Sequence, residues 1–208
     1  MRVICKTDDS INMLSLQNSF FAVKPTDIPI GKGKLLVAAP GMTDGYFERT
    51  VVLLLEQDAE GSMGLILNRP LHVHLRDVLS GLSGCPHRLH NGGPVGLNQL
   101  FFLHQYEQLA EDSTPVAEGI YFGGSEAEVR SLLQVNLLEE ERIRFFVGYA
   151  GWSAGQLEEE LSQQAWVVAD MRREYLNAPC SRLWRNVVHT LGEGYGSWLE
   201  IPDKAFYN

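Results

Sequence analysis

The 208-residue chain has few cysteines, no long apolar run and a deficit of positive charge. Its three cysteines, Cys5, Cys85 and Cys180, are far apart and form no C-x-x-C pair, so they indicate neither a disulfide framework nor a zinc ribbon. No stretch approaches the roughly 18 uncharged apolar residues that a membrane-spanning helix requires. Asp8 and Asp9 also interrupt the segment where a signal peptide would be apolar. These absences predict a cytoplasmic protein with no membrane contact.

Lysine and arginine are outnumbered by acidic residues, which gives a net charge of −9. The whole acidic excess lies in residues 106–208. Because clustered basic side chains supply most of the affinity for nucleic acids, this balance argues against direct binding of DNA or RNA. The chain also has neither a P-loop nor a G-x-G-x-x-G motif, and we expect no cofactor.

The stretch with the densest structural signals is residues 142–161, RIRFFVGYAGWSAGQLEEEL. Ile143, Phe145 and Val147 alternate with their neighbours, which predicts a strand with one face in the core. Closely spaced glycines follow and predict a sharp corner. Ser153, followed three residues later by Gln156, then matches a capping box, so we expect Ser153 to cap a helix.

The same corner spells GWSAG, the G-x-S-x-G of a nucleophile elbow, in a strand-turn-helix context. The order Ser153, Asp170, His189 also resembles a catalytic triad. Against this reading, His189 falls on the polar face of its own amphipathic helix. Asp170 also follows the serine too closely for the strands and helices that normally separate triad members. A serine hydrolase that uses Ser153 is therefore an alternative, and a helix cap is the favoured interpretation.

Several short apolar runs and amphipathic segments divide the rest of the chain. Strands are expected at 35–39, 51–55, 63–67, 100–103, 119–122 and 166–169, and helices at 75–82, from Ser125, at 172–176 and at 181–191. Ser125, followed three residues later by Glu128, matches a second capping box. Closely linked strands with interspersed helices indicate an α+β fold. We expect an N-terminal extension over residues 1–33 and a single domain over residues 34–208.

Five of the six histidines lie between His72 and His104. His72 and His74 would point the same way on an extended segment, with Cys85, His87 and His90 near in sequence. The spacings match no standard metal site, so surface and loop histidines are favoured and we expect no metal.

Six ordered motifs together resemble the YqgE/AlgH family. They are KLLVAAPGMTDGYFERTVVLLLE, GSMGLILNRP, NGGPV, FFLH, VGYAGWSAGQLEEEL and the late helix that contains Trp184. The likeness extends from about Lys34 to Gly192. It departs from the usual pattern at Gly45, where proline is common, and at Ser153 and Ala154, where glycine and proline are common. A family that accepts glycine at position 153 argues against a nucleophile there.

The resemblance implies a bacterial cytosolic α+β protein, a single domain with a branched mixed, largely antiparallel sheet flanked by helices. It implies no known biochemical activity, although family members carry a transcriptional-regulator label. Matching polar residues fall at strand ends and corners, where a rigid scaffold usually places a site. The candidate ligand-binding residues are Asp44, Arg49, Asn68, Arg69, Asn91, Gly92, Gly93, Trp152 and Gln156.

We expect these residues to form one surface depression, with Trp152 and Gln156 at its edge. The paired glycines of the His90–Gly96 loop could present N–H groups to an anion or simply make a turn. In the competing interpretation, the side chains only satisfy buried backbone groups. The sequence favours a non-enzymatic binding or regulatory module for an unidentified small molecule or protein partner. The serine hydrolase is the alternative, and a DNA-binding regulator is the third hypothesis.

Overall fold

The computed structural model describes residues 25–40, 42 and 45–201. The candidate residue Asp44, most of the expected N-terminal extension and the last seven residues lie outside this description. The described end of the extension contacts the domain: the Thr26 hydroxyl donates to the Val168 carbonyl at 2.7 Å, and Ile28 and Ile30 pack on a core cluster. Within the described residues, no helix is long and apolar enough to cross a membrane.

Ten strands form one connected sheet in the described part of the chain. They are β1 (Lys34–Ala38), β2 (Val51–Asp58), β3 (Gly61–Ile66), β4 (Pro70–His74), β5 (Arg88–Asn91), β6 (Val95–His104), β7 (Thr114–Ala117), β8 (Ile120–Phe122), β9 (Ile143–Ser153) and β10 (Trp166–Asp170). The helices are α1 (Leu75–Val78), α2 (Glu126–Gln134), α3 (Gln156–Ser162), α4 (Arg173–Asn177), α5 (Cys180–Thr190) and α6 (Gly196–Glu200). Short 3-10 turns occur at Glu107–Leu109 and Glu193–Tyr195.

The sheet branches at β9. Its main path runs β10-β1-β2-β3-β9-β6-β8-β7, while β5 pairs with β9 and β4 pairs with β5. The β5–β9 pair is parallel, with Leu89 opposite Phe145, and the other pairs are antiparallel. This arrangement confirms the predicted α+β fold with a branched mixed, largely antiparallel sheet.

Strand β9 is longer than the alternating pattern predicts, because it continues through the glycines to Ser153. One of its edges pairs with β6, and the other pairs first with β5 and then, beyond Gly148, with β3. Gly148 has φ +71°, and a Cβ there would lie 2.6 Å from the Gly93 carbonyl oxygen and 2.9 Å from that of Val95. The expected glycine corner is therefore the branch point of the sheet, and glycine is required where the backbones meet.

The two faces of the sheet bury separate clusters. Leu35 and Val37 point to one face and Leu36 and Ala38 to the other, as period-2 side chains must. Helix α5 covers the first face with its four buried residues, Leu183, Trp184, Val187 and Val188. Helix α3 covers the second through Leu157, and a third cluster surrounds Phe145 near the start of β9.

The two predicted capping boxes have different outcomes. The Ser125 hydroxyl accepts a hydrogen bond from the Glu128 N–H at 3.3 Å, which confirms the cap of α2. The prediction that Ser153 caps a helix is wrong. The N-cap residue of α3 is Gly155, and no side chain forms a capping hydrogen bond there. Pairing with Gly61 of β3 keeps Ser153 in the strand. Only the reverse half of the box forms, where the Ser153 N–H donates to Gln156 Oε1 at 3.1 Å.

The branch geometry predicts different effects of alanine at two glycines that share a left-handed backbone. Gly148 and Gly155 have φ +71° and +77°, but a Cβ at Gly155 would meet nothing within 4 Å. Gly155→Ala should therefore cost only about 1–2 kcal/mol of unfolding free energy, the usual penalty for this conformation. Gly148→Ala should cost at least about 2 kcal/mol more, because backbone must shift. Urea unfolding measures both, and equal losses would contradict the branch-point role of Gly148.

Candidate functional site

Asn68 holds together the turn that carries the first candidate residues. Its Oδ1 accepts from the Val51 N–H at 3.0 Å, and its Nδ2 donates to the Arg49 carbonyl at 2.9 Å. The side chain is 7% exposed, so replacing it with an apolar residue would leave a buried N–H unsatisfied. Arg49 has φ +50°, a strained value for a non-glycine residue, and the bond to its carbonyl helps to fix that conformation.

Three arginines converge beside this turn. The Arg49 guanidinium donates to the Ile201 carbonyl at 2.5 Å and lies 5.2 Å from the ring centre of Trp184. Arg69 donates to the Glu48 carbonyl, and Arg185 to the Leu199 carbonyl. These groups border a cavity of about 250 Å³, named the arginine pocket below. Its lining residues are Arg49, Asn68, Arg69, Cys180, Ser181, Trp184 and Arg185.

The arginine pocket concentrates positive charge in an acidic protein. Among the residues that the structure describes, no aspartate or glutamate lines it. Burial lowers the pKa of Arg49, the nearby Arg185 charge lowers it further, and Glu48 opposes the shift. Within the part of the chain that the structure describes, Arg69 and Arg185 form no salt bridge. Converging like charges of this kind favour an anion that binds between them.

The Asn91–Gly93 loop lies next to Arg69 but turns its polar groups inward. The Asn91 N–H donates to the Arg69 carbonyl at 2.7 Å, and Asn91 Nδ2 donates to the Tyr46 hydroxyl at 2.9 Å. The Gly92 N–H donates to the Val147 carbonyl, and the Gly93 N–H donates to Asn91 Oδ1, both at 2.9 Å.

Close contact with β9 accounts for both glycines. A Cβ at Gly92 would lie 2.2 Å from the Gly148 oxygen, and one at Gly93 would lie 2.0 Å from the Tyr149 carbonyl carbon. Because their N–H groups are engaged internally, Gly92 and Gly93 do not form the anion nest that the sequence left open. Neither they nor Asn91 line the arginine pocket.

Trp152 and Gln156 lie apart from the arginine pocket, so the structure does not bring all the candidate residues into one depression. Glu160 Oε2 accepts from Trp152 Nε1 at 2.9 Å and from Trp166 Nε1 at 2.7 Å. Glu160 Oε1 accepts from Gln156 Nε2 at 3.0 Å. We call these four residues the indole clamp. Its hydrogen bonds hold α3 against β9 and β10, which is a structural role.

Ser153 lines a different depression, which is open and acidic. Three carboxylate residues, Glu56, Asp58 and Glu60, share that lining. No hydrogen bond in the described structure joins the Ser153 side chain to Asp170 or His189, and Asp170 instead forms a 2.6 Å salt bridge with Lys34. The hydrolase alternative therefore has no assembled triad in this arrangement.

The histidine-rich region provides packing and local hydrogen bonds. Cys85 Sγ lies 3.3 Å from His87 Nδ1, and both residues are buried. Burial, together with the Arg144 charge, lowers the pKa of His90 to about 4, so this ring is neutral near pH 7. Among residues 25–40, 42 and 45–201, no three histidine, cysteine, aspartate or glutamate side chains form a group suited to a metal ion.

Sequence reasoning missed the residues that helix α5 contributes to the arginine pocket. They are Cys180, Ser181, Trp184 and Arg185. The amphipathic pattern of this helix groups Trp184 with the apolar residues and Arg185 with the polar ones, and Trp184 is indeed buried. A cysteine and a serine at a helix start, followed by an arginine one turn later, is a signal that could have marked this end of the helix.

The indole clamp predicts that Glu160→Gln destabilises the protein. Both oxygens of a carboxylate can accept hydrogen bonds. The glutamine amide has only one acceptor oxygen, and its NH₂ group would face a side chain that also donates. We expect a loss of roughly 1–3 kcal/mol in the free energy of unfolding, measured in urea by tryptophan fluorescence. Glu159→Gln on the same helix is the matched control, with an expected change within about 0.5 kcal/mol. Equal losses of unfolding free energy for the two substitutions would show that the indole clamp does not stabilise the fold.

Comparisons with known proteins agree on one family. The sequence pattern described as AlgH-like matches residues 35–196. A UPF0301 protein of Chlorobium chlorochromatii is 42% identical over 172 residues, covering 82% of this chain and 92% of the relative. A UPF0301 protein of Bacteroides fragilis is 33% identical over 200 residues, covering 94% of this chain and 100% of the relative.

Two solved structures have the same fold. The AlgH protein of Pseudomonas aeruginosa, in its solution structure, matches with a TM-score of 0.64 and 30% identity, over 88% of this chain and 100% of that one. Protein DIP2367 of Corynebacterium diphtheriae matches with a TM-score of 0.73 over 87% of this chain and 96% of that one. At 23% identity, the second likeness supports the fold alone. The chain therefore belongs to the AlgH-like family, the YqgE/AlgH family that its motifs resemble.

Proposed function

We propose that this chain is a non-enzymatic binding or regulatory module, and that its ligand is a small oxyanion held in the arginine pocket. The proposal rests on the convergence of three arginines on one cavity, in which no carboxylate residue is among the described lining residues. Guanidinium groups present planar sets of N–H donors that match phosphate and carboxylate oxygens. An anion between them would relieve the mutual repulsion of Arg49 and Arg185.

The start of helix α5 adds to this chemistry. Cys180 and Ser181 begin an 11-residue helix whose N-cap, Pro179, provides no side-chain hydrogen bond. First-turn N–H groups and the helix dipole both favour negative charge at this end. Ser181 lines the same cavity, and a serine hydroxyl can donate to an oxyanion. Arginine side chains and a helix start thus contribute to one site from separate parts of the chain.

The dimensions of the pocket favour a small ligand. Its volume of about 250 Å³ is below the roughly 300–1,000 Å³ of pockets for drug-sized molecules. Trp184 does not offer a face for a nucleobase, because its side chain is 3% exposed and contacts both Arg49 and Trp198. Inorganic phosphate, or a compact metabolite with phosphate or carboxylate groups, fits these features better than a nucleotide.

The lining also favours binding over catalysis. Its described residues include no histidine, aspartate or glutamate that could act as a general acid or base. Cysteines without a pairing motif and the acidic composition support a cytoplasmic setting for this module.

Titration with inorganic phosphate, followed by calorimetry, tests the proposal. We expect saturable binding to one site that weakens as salt concentration rises. Arg69→Gln and Arg185→Gln should each weaken binding by about tenfold or more, since a hydrogen bond to a charged group contributes about 1.5–3 kcal/mol. Arg182→Gln is the matched control, because this exposed arginine lies on the same helix outside the pocket.

Two results would contradict the proposal. One is the absence of saturable binding of phosphate, sulfate and small carboxylates to the folded wild-type protein. The other is binding that Arg182→Gln weakens as much as Arg185→Gln does. Thermal unfolding of each variant without ligand identifies any loss of binding that results from misfolding.

A further inference from the structure

Cys180 lines the arginine pocket, and its thiol shares a hydrogen-bond acceptor with a partly buried arginine. Cys180 Sγ is 3.8 Å from the Leu67 carbonyl oxygen, and Arg144 Nη1 donates to the same oxygen at 2.9 Å. Cys180 is partly exposed, and it forms no disulfide in the described structure. Cys180 therefore lies at the cavity surface, with its thiol close to a fixed positive charge.

Arg144 extends the positive environment beneath the pocket. Its guanidinium donates to two carbonyls, those of Leu67 and Ala178, and it forms no salt bridge within the described residues. Burial lowers the pKa of Arg144. Its guanidinium and the Cys180 thiol contact the same carbonyl oxygen, so a positive charge lies beside the sulfur. Helix N-termini and neighbouring arginines are the surroundings in which protein thiols become nucleophilic.

We propose that Cys180 is a site of reversible S-thiolation by small disulfides that carry carboxylate groups. The proposal uses the arginine pocket of the proposed function and specifies a covalent chemistry for it. Arg49, Arg69 and Arg185 attract the carboxylates of the disulfide, and the thiol at the start of α5 reacts with its sulfur.

The reaction is a balanced thiol–disulfide exchange. The Cys180 thiol releases its proton to solvent, and the thiolate attacks one sulfur of the small disulfide. The bond between the two sulfurs of the small molecule breaks while the bond to Cys180 Sγ forms. The departing thiolate takes up a proton, so one half of the small disulfide is reduced as Cys180 is oxidised. An excess of the small thiol drives the reverse exchange and restores Cys180.

Cys85 provides an internal comparison. It is 1% exposed, lies in an apolar cluster with Leu75 and Leu89, and contacts His87 rather than an arginine. The folded protein should therefore react at Cys180 and not at Cys85, because a disulfide cannot reach the buried thiol.

The test uses the full chain with Cys5→Ser, so that only Cys85 and Cys180 can react. Oxidised glutathione, which carries carboxylates, is compared with the dicationic disulfide cystamine, and adducts are located by peptide mass spectrometry. We expect one glutathione adduct at Cys180, formed about tenfold faster than the cystamine adduct. The additional change Cys180→Ser should abolish it. Arg69→Gln and Arg185→Gln should make the rates of glutathione and cystamine adduct formation similar. Arg182→Gln should leave the ratio of these rates unchanged.

The outcomes separate this inference from the proposed function. Equal rates for the two disulfides, no adduct at Cys180, or equal reaction at Cys85 would each overturn S-thiolation. If phosphate binds but Cys180 fails to react, the inference fails and the oxyanion site stands. If Cys180 reacts selectively with the anionic disulfide while phosphate neither binds nor slows the reaction, the inference stands and the proposed function fails. Unfolding in urea exposes Cys85 and confirms that its thiol is intact.

Discussion

The structure depends on one strand that pairs with three others. Strand β9 carries β6 on one edge, and its other edge changes partner from β5 to β3 at Gly148. Backbone groups must be hydrogen-bonded when buried, so a change of partner within one strand requires the backbones to approach closely at the branch. Glycines at positions 92, 93 and 148 allow that approach. These glycines are therefore explained by the sheet, without a bound ligand.

The same constraint places polar groups in buried surroundings next to the branch. Where β2 begins and β3 ends, neighbouring strands leave backbone groups that need partners, and Asn68 and Arg144 provide them. Arg144 is partly buried and donates to carbonyl groups, which offset its positive charge in part. Helix α5 then adds Arg185 and its own N-terminus to the same region. The arginine pocket thus lies where strand ends that require hydrogen-bond partners adjoin the start of α5.

Much of the fold was accessible from the sequence because it rests on local patterns. The apolar runs of β1 and β2, the Ser125 cap and the buried stripe of α5 follow from period and capping chemistry. The length of β9 could not be predicted from the sequence, because closely spaced glycines locally indicate a turn. Only the long-range pairing with β3 keeps this segment extended. Ser153 failed as a cap for the same reason. The resemblance to a family gave the branched sheet, which no local pattern indicates.

The candidate site was only partly accessible. Arg49, Asn68 and Arg69 do come together, since they lie at the adjoining ends of paired strands. Trp152 and Gln156 were assigned to the same depression by their polarity and position, but Glu160 binds both of them elsewhere. The residues of α5 were missed because the contact joins segments more than a hundred residues apart. No local periodicity or motif predicts a contact between segments so far apart in the sequence.

A crystal structure of the protein with bound phosphate would show whether the arginine pocket holds a small oxyanion. We expect phosphate within hydrogen-bonding distance of the Arg69 and Arg185 guanidinium groups and of the first turn of α5. This expectation would be contradicted by a structure at saturating phosphate in which the ion binds elsewhere, or in which the arginines keep only their carbonyl contacts.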